Sequence, residues 1–600
     1  MPPPLLGFSR EMGAVFGIFY RDGYVAFYAK VMEDVDGNQT YPSDGEYTLT
    51  EDGFLYSVVD GIYTLHAHVG NESTITLPGD INGNAYTIRN FSTTASYVII
   101  PDGVTSIGEK AFRNCRSLVS VTIPDSVSSI GENAFFGCTG LTSVYFTGIV
   151  TDWLGITFDG ASATPMYYAT NLYLNGEQVT AIDIPDGVTA INDYAFYNCT
   201  SLASITIPDS VTSIGASAFY GCTNLTSITI PAGVTSIGNS MFSGCTSLTS
   251  IEIPDSVTSI GKYAFYSCRS LTSITIPDGV TSIGDYTFYQ CESLTNITIP
   301  DSVTSIGSNA FYKCTGLTSI TIPDSVTSIG YYAFYDCASL TSITTPDSVT
   351  SIGYSAFQNC TGLTSVTIGN GIKSIGDSVF AGCAGLTSIT IPDSVMWLGG
   401  SAFSGCTGLT SITIPNGVTR ISENVFQNCT SLTSIKIPNS VTGIEAFAFS
   451  GCTSLTSIKI PDSVTGIDAF AFSGCTGLKS VSIGNGVTYI GESAFSGCTG
   501  LTSITIPNGV TGIDNYAFSG CTGLKSVSIG IGVTRIGKNV FLDCASLDSV
   551  TMQDTSTWYR TPYSNYCDSM TGGIAMSMTY APTNAKYFKT SYCAYYWYKK

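Results

Sequence analysis

Apolar and polar positions along this chain follow one phrase that keeps returning. Its most frequent form is I-P-D-S-V-T-S-I-G-x-x-A-F-x-x-C-T-x-L-T-S-I-T, 23 residues long. The cysteines measure the period. Cys115 and Cys138 lie 23 apart, and an unbroken series runs from Cys199 through Cys222, Cys245 and Cys268 to Cys521 and Cys544. Self-similarity at a fixed period of this size marks a solenoid, in which each unit buries its apolar side only against its neighbours. The pattern predicts one continuous array of about 18–19 coils over residues 100–551, interrupted once at 146–183.

Within one repeat the elements follow from spacing. Leu225, Ile228 and Ile230 predict an L-x-x-I-x-I strand with its apolar side chains inward and Ser227 and Thr229 outward. Pro208-Asp209-Ser210 is a turn, because Pro presets φ and Asp bonds its own backbone two residues on. Val211 and Ile214 predict a second short extended segment, ended by Gly215. Ala218-Phe219 and Cys222 then predict a single helical or 3₁₀ turn, since a spacing of three puts Phe and Cys on one side. Phe fills this slot in every copy from Phe112 to Phe541, which predicts one buried row. Each coil sends about eight apolar side chains inward, at roughly 2 kcal/mol apiece. Ordering costs about 1.5 kcal/mol per residue, so a lone coil does not fold and stacking supplies the difference.

The flanks are less regular. Leu77-Pro78 lies 23 residues before Ile100-Pro101, which predicts a degenerate first coil at 77–99 without the Phe-x-x-Cys pair. Residues 1–50 form an N-terminal segment, 51–99 an N-terminal cap containing that coil, and 552–600 a Tyr-, Ser- and Thr-rich C-terminal cap or tail.

The L-x-x-I-x-I strand within I-P-D-S-V-T-S-I-G…A-F…C-T-x-L-T-S-I-T resembles the BspA-like (treponemal-type) leucine-rich repeat family of surface proteins. The interruption adds to the likeness, through W-L-G-I-T-F at 153–158 and N-L-Y-L-N-G-E-Q-V-T at 171–180. The resemblance implies a right-handed α/β solenoid with a parallel sheet on one face and short helical or 3₁₀ turns. It also implies a non-enzymatic role at the cell surface or in secretion, adhering to proteins or glycans of host or neighbouring cells.

Charge changes the picture in one respect. A formal charge of −21 with only 11% charged residues excludes a nucleic-acid partner, because phosphate recognition needs clustered Lys and Arg. No stretch approaches about 18 uninterrupted apolar residues, so no transmembrane segment is expected. Residues 12–20 are apolar, but Arg10 and Glu11 precede them and Arg21 and Asp22 cut them off, which is not the pattern of a signal peptide.

Candidate chemistry is sparse. Zinc sites need closely spaced Cys pairs, and stacked cysteines about 4.8 Å apart suit a disulfide poorly. The repeat cysteines are therefore expected to be buried, reduced spacers, with Cys567 and Cys593 standing apart from them. His66 and His68, the only histidines, share one face of an expected strand and lack a third metal ligand. The array holds no histidine, so no Ser/His/Asp or Cys/His arrangement can be assembled. No enzymatic activity and no cofactor are expected.

Two rows are candidates for binding. The outward Ser-x-Thr pairs, such as Ser227/Thr229, Ser273/Thr275 and Ser319/Thr321, form a hydroxyl ladder broken at Tyr145, Glu252, Asn296, Lys436 and Lys459. Such a ladder is also plain strand filling. The second row is aromatic: Tyr197, Tyr220, Tyr266, Tyr289, Tyr312 and Tyr335 follow the buried Phe, with Tyr194, Tyr263, Tyr286, Tyr332 and Tyr354 nearby. Later copies place Ser404, Ser450, Ser473 and Ser496 at the post-Phe slot. An exposed Tyr belt has the composition of a protein-binding surface; tyrosines lying flat over the coil edge are the alternative. The function this predicts is an adhesive, protein-binding scaffold. The alternatives are a surface spacer without a ligand and an ice-binding hydroxyl array.

Overall fold

The computed structural model describes residues 47–562, 574–591 and 593–599, and before them the backbone of four short strands within residues 15–40. Two compact units are present, residues 1–256 and 257–600. Both are parallel β-solenoids of stacked 23-residue coils.

One coil of the second unit shows how the phrase folds. The strand Ser342–Thr344 pairs in parallel with Ser365–Thr367 one repeat on, Ile343 opposite Val366. Its alternation is as expected: Ile343 is buried while Ser342 and Thr344 are exposed. Pro323-Asp324-Ser325 turns the chain, and the two-residue strand Ser328–Ile329 lies in register between Ser305–Ile306 and Ser351–Ile352. Ser325 Oγ donates to the Val303 carbonyl of the preceding coil at 2.6 Å.

The third side of the coil differs from the expected helical turn. Tyr335 N–H bonds Tyr332 C=O, Cys337 N–H bonds Phe334 C=O and Leu340 N–H bonds Cys337 C=O, giving consecutive tight turns. Between these, Tyr332, Phe334 and Asp336 donate to Tyr354, Ala356 and Gln358 of the next coil at 2.8–3.0 Å. A helical turn keeps its N–H groups within its own segment. Here every second one is sent across to the neighbour, which adds a third row of inter-coil bonds. The chain achieves this with two left-handed residues per coil, at the slot before Ala-Phe (Tyr332, φ +54°) and the slot before Cys (Asp336, φ +58°).

The core is the interior of the coil. Every Phe of the row from Phe112 to Phe541 is buried, and neighbouring rings stack nearly parallel, as for Phe334 and Phe357 at 5.2 Å and 1°. The eighteen cysteines from Cys115 to Cys544 are free and buried beside them. Cys337 Sγ donates to Phe311 C=O of the preceding coil at 3.1 Å, and the same bond recurs along the row.

In the first unit the strands Thr74–Thr76, Tyr97–Ile99, Ser120–Ile123, Ser143–Phe146 and Asn171–Leu174 pair in parallel. The degenerate first coil is therefore a true coil. It lacks a Phe-x-x-Cys pair, yet Phe91 takes the first place in the Phe row, 5.8 Å from Phe112, and its carbonyl accepts the Cys115 thiol at 3.0 Å. Before it, Tyr47–Leu49, Phe54–Val59 and Ile62–His68 form an antiparallel meander whose last strand runs parallel to Tyr86–Ser92.

The interruption widens one coil rather than ending the stack. The short helix Val150–Leu154 buries Trp153, whose Nε1 donates to Ala195 C=O at 2.7 Å. Met166 and Ala169, both fully buried, take the Phe and Cys places: Tyr167, next to Met166, stacks over Tyr197, next to Phe196. Asn171–Leu174 then folds back on Glu177–Gln178 as a hairpin before Ala181–Asp183 resumes the sheet with Ser204–Thr206.

At the C-terminal end the helix Ala581–Lys586 packs on Ser549–Met552, with Asn584 Nδ2 donating to Val550 C=O. Phe588 meets Phe541 edge-on and Trp597 covers Phe588 at 4.8 Å. Tyr596–Lys599 pairs antiparallel with Arg535–Ile536, so the strand edge of the last coil is also occupied. Cys567 lies outside the described residues, and Cys593 is half-buried.

Candidate functional site

The 23-residue period places the post-Phe tyrosines in columns. In the second unit Tyr266, Tyr289, Tyr312 and Tyr335 stack face to face, with centroids 4.6–4.7 Å apart and planes within 5°. In the first unit Tyr197 and Tyr220 stack at 4.5 Å, with Tyr167 beyond Tyr197. All six are half-buried. Stacking covers the ring faces, so each column presents ring edges and hydroxyls, an amphipathic strip rather than an apolar sheet. Asn359 Nδ2 donates to Tyr335 Oη at 3.1 Å at one end, and burial raises the Tyr289 phenol above its ordinary range.

The neighbouring tyrosines belong to a different slot. Tyr194, Tyr263, Tyr286 and Tyr332 all sit at the left-handed position two residues before the buried Phe, with φ between +54° and +61°. Tyr263 and Tyr286 stack at 4.7 Å and lean on the main column through Tyr263–Tyr266 at 5.9 Å. Tyr354 is not in this row: it is one coil on from Tyr331, and it meets Tyr332 edge-on at 5.4 Å. The later copies that place Ser at the post-Phe slot carry aromatics at other slots. Phe447 and Phe470 fill the left-handed slot and stack at 4.7 Å, and Tyr489 and Tyr516 are exposed. The recurring E/D-A-F-A-F phrase carried that signal.

The breaks in the hydroxyl ladder stand on another side of the coil. Glu252 is exposed on Ser250–Glu252 of the first unit, opposite Thr229. Lys436 and Lys459 are exposed at equivalent positions of Ser434–Lys436 and Ser457–Lys459 in the second unit. None of the three is brought against the tyrosine columns. Other hydroxyls are structural: Thr318 Oγ1 donates to Thr295 C=O and Thr327 Oγ1 to Thr304 C=O, each one coil back.

His66 and His68 do share a strand face, but they are half-buried rather than free. His66 Nε2 meets Ser57 Oγ at 2.8 Å and its ring packs on Tyr47. Burial lowers its basicity. His68 packs on Phe54 and approaches Glu72 at 3.7 Å. Among the described residues no group of three or more His, Cys, Asp or Glu is placed to hold a metal ion. Burial pushes the thiols of Cys245, Cys360 and Cys452 up to about 12. They stay protonated and serve as donors rather than nucleophiles. No helix among the described residues is long and apolar enough to cross a membrane.

A family model for the BspA-type leucine-rich repeat region matches six times, over residues 81–165, 167–293, 281–410, 350–468, 398–501 and 442–571. The chain belongs to the BspA-type leucine-rich repeat family. Solved structures similar to this member include a leucine-rich repeat protein from Bacteroides ovatus, 25% identical, covering 85% of this chain and 94% of that one with a TM-score of 0.30. Another, from Eubacterium ventriosum, is 24% identical over 68% of this chain and 95% of its own, with a TM-score of 0.35. A leucine-rich cell surface protein from Faecalibacterium prausnitzii is 26% identical, over 85% and 96%, with a TM-score of 0.23. No curated protein matches the chain.

Proposed function

We propose that this BspA-type chain is a non-enzymatic adhesion scaffold, presented at the cell surface or secreted, that binds proteins through its tyrosine columns. The observation that carries the reading is the column Tyr266, Tyr289, Tyr312 and Tyr335: four aromatic residues held rigid by mutual stacking and only half-buried. Interfaces concentrate their energy in such anchors, and rigid two-torsion side chains lose little entropy on contact. The cell surface naming of the Faecalibacterium relative supports the location.

The test is a pull-down from extracellular-matrix and cell-surface protein extracts with the intact chain and with a Tyr266→Ser, Tyr289→Ser, Tyr312→Ser variant. Serine fills this slot at Ser404, Ser450 and Ser473, so the variant keeps a side chain the coil already accepts. Capture of the bound protein should fall about tenfold while the thermal midpoint moves little. Undiminished capture would reduce the column to a coat over the coil edge and favour a spacer.

A further inference from the structure

The repeat is regular enough that its departures stand out, and three exposed aromatic ones line a single groove. In V-M-W-L-G, Met396 and Trp397 occupy slots that hold Thr350 and Ser351 two coils earlier, yet both are exposed, at 59% and 46%. Ser374 pairs with Trp397 in the short-strand row, so the coil itself is undisturbed. Two and three coils back, Tyr354 and Tyr331 are exposed at 40% and 60% in the slot after Gly. Trp397, Tyr354, Tyr331 and the strands between them line one open groove of about 560 Å³, wholly within the second unit. Its floor is the Ser-Ile-Gly row, with Ser305, Ser328 and Ser351, and its column of rim residues runs Asp285, Ser308, Tyr331, Tyr354, Asp377.

Large apolar side chains exposed at no benefit to the fold mark a binding surface. The groove's chemistry narrows the ligand. Among the described residues no other ring packs on Tyr331 or Trp397, so their faces are open, unlike those of the stacked column. Coils repeat at about 4.8 Å, close to the length of one pyranose unit, so Tyr331 and Tyr354 are one sugar-unit step apart and Trp397 lies two coils further along the groove. Hydroxyls and carboxylates flank the rings, supplying donors and acceptors for sugar hydroxyls. The lining carries two carboxylates and no cation, and both carboxylates already have partners. Asp285 pairs with Lys262 at 2.9 Å and accepts Ser308 N–H, and Asp377 accepts Gly400 N–H at 2.7 Å. Beyond the rim Lys373 is exposed, and Arg420 pairs with Glu445 at 3.2 Å. A strongly cationic or anionic ligand gains little from such a rim.

We propose that this groove is a carbohydrate site for an extended, uncharged oligosaccharide, with Trp397, Tyr354 and Tyr331 stacking on sugar faces and Asp377 accepting from sugar hydroxyls. It is separate from the protein-binding reading of the tyrosine column and does not depend on it.

The four tryptophans make the test direct, because Trp153, Trp558 and Trp597 are buried and Trp397 is exposed. The full chain is titrated with cello-, xylo-, chito- and malto-hexasaccharides, reading Trp emission, acrylamide quenching and binding heat. At least one hexasaccharide should bind saturably, shift the emission and shield Trp397 from acrylamide. Trp397→Ser and Tyr354→Ser restore residues used at Ser374 and Ser308; each should weaken binding about tenfold. Asp377→Asn keeps the acceptor for Gly400 and should weaken it about threefold. Tyr489→Ser, which removes an exposed tyrosine elsewhere, should change nothing, and thermal melts show that each variant is folded. If no hexasaccharide binds saturably, or if Trp397→Ser binds as the parent does, the proposal fails. It fails equally if an Arg-Gly repeat peptide binds in a Trp397-dependent way while the sugars do not, since the groove then takes a cationic segment.

Discussion

Two kinds of residue set the behaviour of each coil: the buried thiol and the left-handed position. Each thiol from Cys115 to Cys544 is buried, and most donate to a Phe carbonyl one coil back, as Cys314 Sγ does to Phe288 C=O at 3.1 Å. Thiolate chemistry needs exposure, and none of these thiols is exposed. Native protein treated with iodoacetamide near neutral pH should carry no label at these eighteen sites, whereas denatured, unreduced protein should be labelled at all of them by mass spectrometry. Disulfide-linked peptides from adjacent coils would refute this. The slot before Cys is left-handed whether it holds Gly474 (φ +71°) or Gln290 (φ +57°). At Gly474 a Cβ would have room, its nearest neighbour being Gly451 N at 3.8 Å. Gly474→Ala should therefore cost about 1 kcal/mol from backbone strain alone, and Gln290→Gly should recover a similar amount, both read from urea unfolding. Equal stability of Gly474→Ala and the parent would mean the slot does not enforce its handedness.

Among the elements, the widened coil is where sequence reading reached furthest without finishing. The phrases at 153–158 and 171–180 mark it, but neither says that Met166 and Ala169 replace Phe and Cys, because that assignment depends on where the helix Val150–Leu154 turns the chain. Trp153 fixes that turn through its bond to Ala195 C=O, packed between Phe146 and Phe158 at 5.3 and 5.7 Å. Trp153→Phe keeps most of the packing and removes the donor. A buried carbonyl that loses its partner costs about 1–3 kcal/mol, so calorimetry should show a lowered transition for the first unit. An unchanged transition would mean that the indole bond contributes nothing. The aromatic rows were more legible. Residues 23 apart share a column, so Tyr266, Tyr289, Tyr312 and Tyr335 could be grouped by arithmetic alone. The same arithmetic separates Tyr354 from Tyr332 and joins it to Tyr331. Which column stacks closed and which leaves its ring faces open is not arithmetic, because it depends on the backbone twist at each slot.

For the whole molecule, the repeated thiol makes stability sensitive to alkali. In the folded state burial raises the thiols from 9.0 to about 12 at Cys138, Cys245 and Cys406. Below about pH 9 both states hold their protons, and the stability is fully present. As pH rises past that value the unfolded chain ionises first, and each such thiol removes up to about 1.4 kcal/mol per pH unit. The thermal midpoint in reductant should fall steeply above pH 9, and less steeply in a variant with Ser at Cys291, Cys314 and Cys337. Matching slopes in the two proteins would show that the thiols do not govern the alkaline limit.

The amino-acid sequence alone determined the period, the strand alternation of L-x-x-I-x-I, the buried Phe and Cys rows and the family. These follow from which positions are apolar and from the chain repeating itself, and both are local properties. Tertiary structure decided the rest. It sent alternate N–H groups of the Phe arm to the next coil, which replaced the expected helical turn with left-handed residues. It seated Phe91 and Met166 in a row whose spacing they do not keep. It also left Tyr331, Tyr354 and Trp397 facing one groove while the post-Phe tyrosines closed on each other. A period fixes which residues share a column; only the path of the backbone between neighbouring coils fixes where their side chains point.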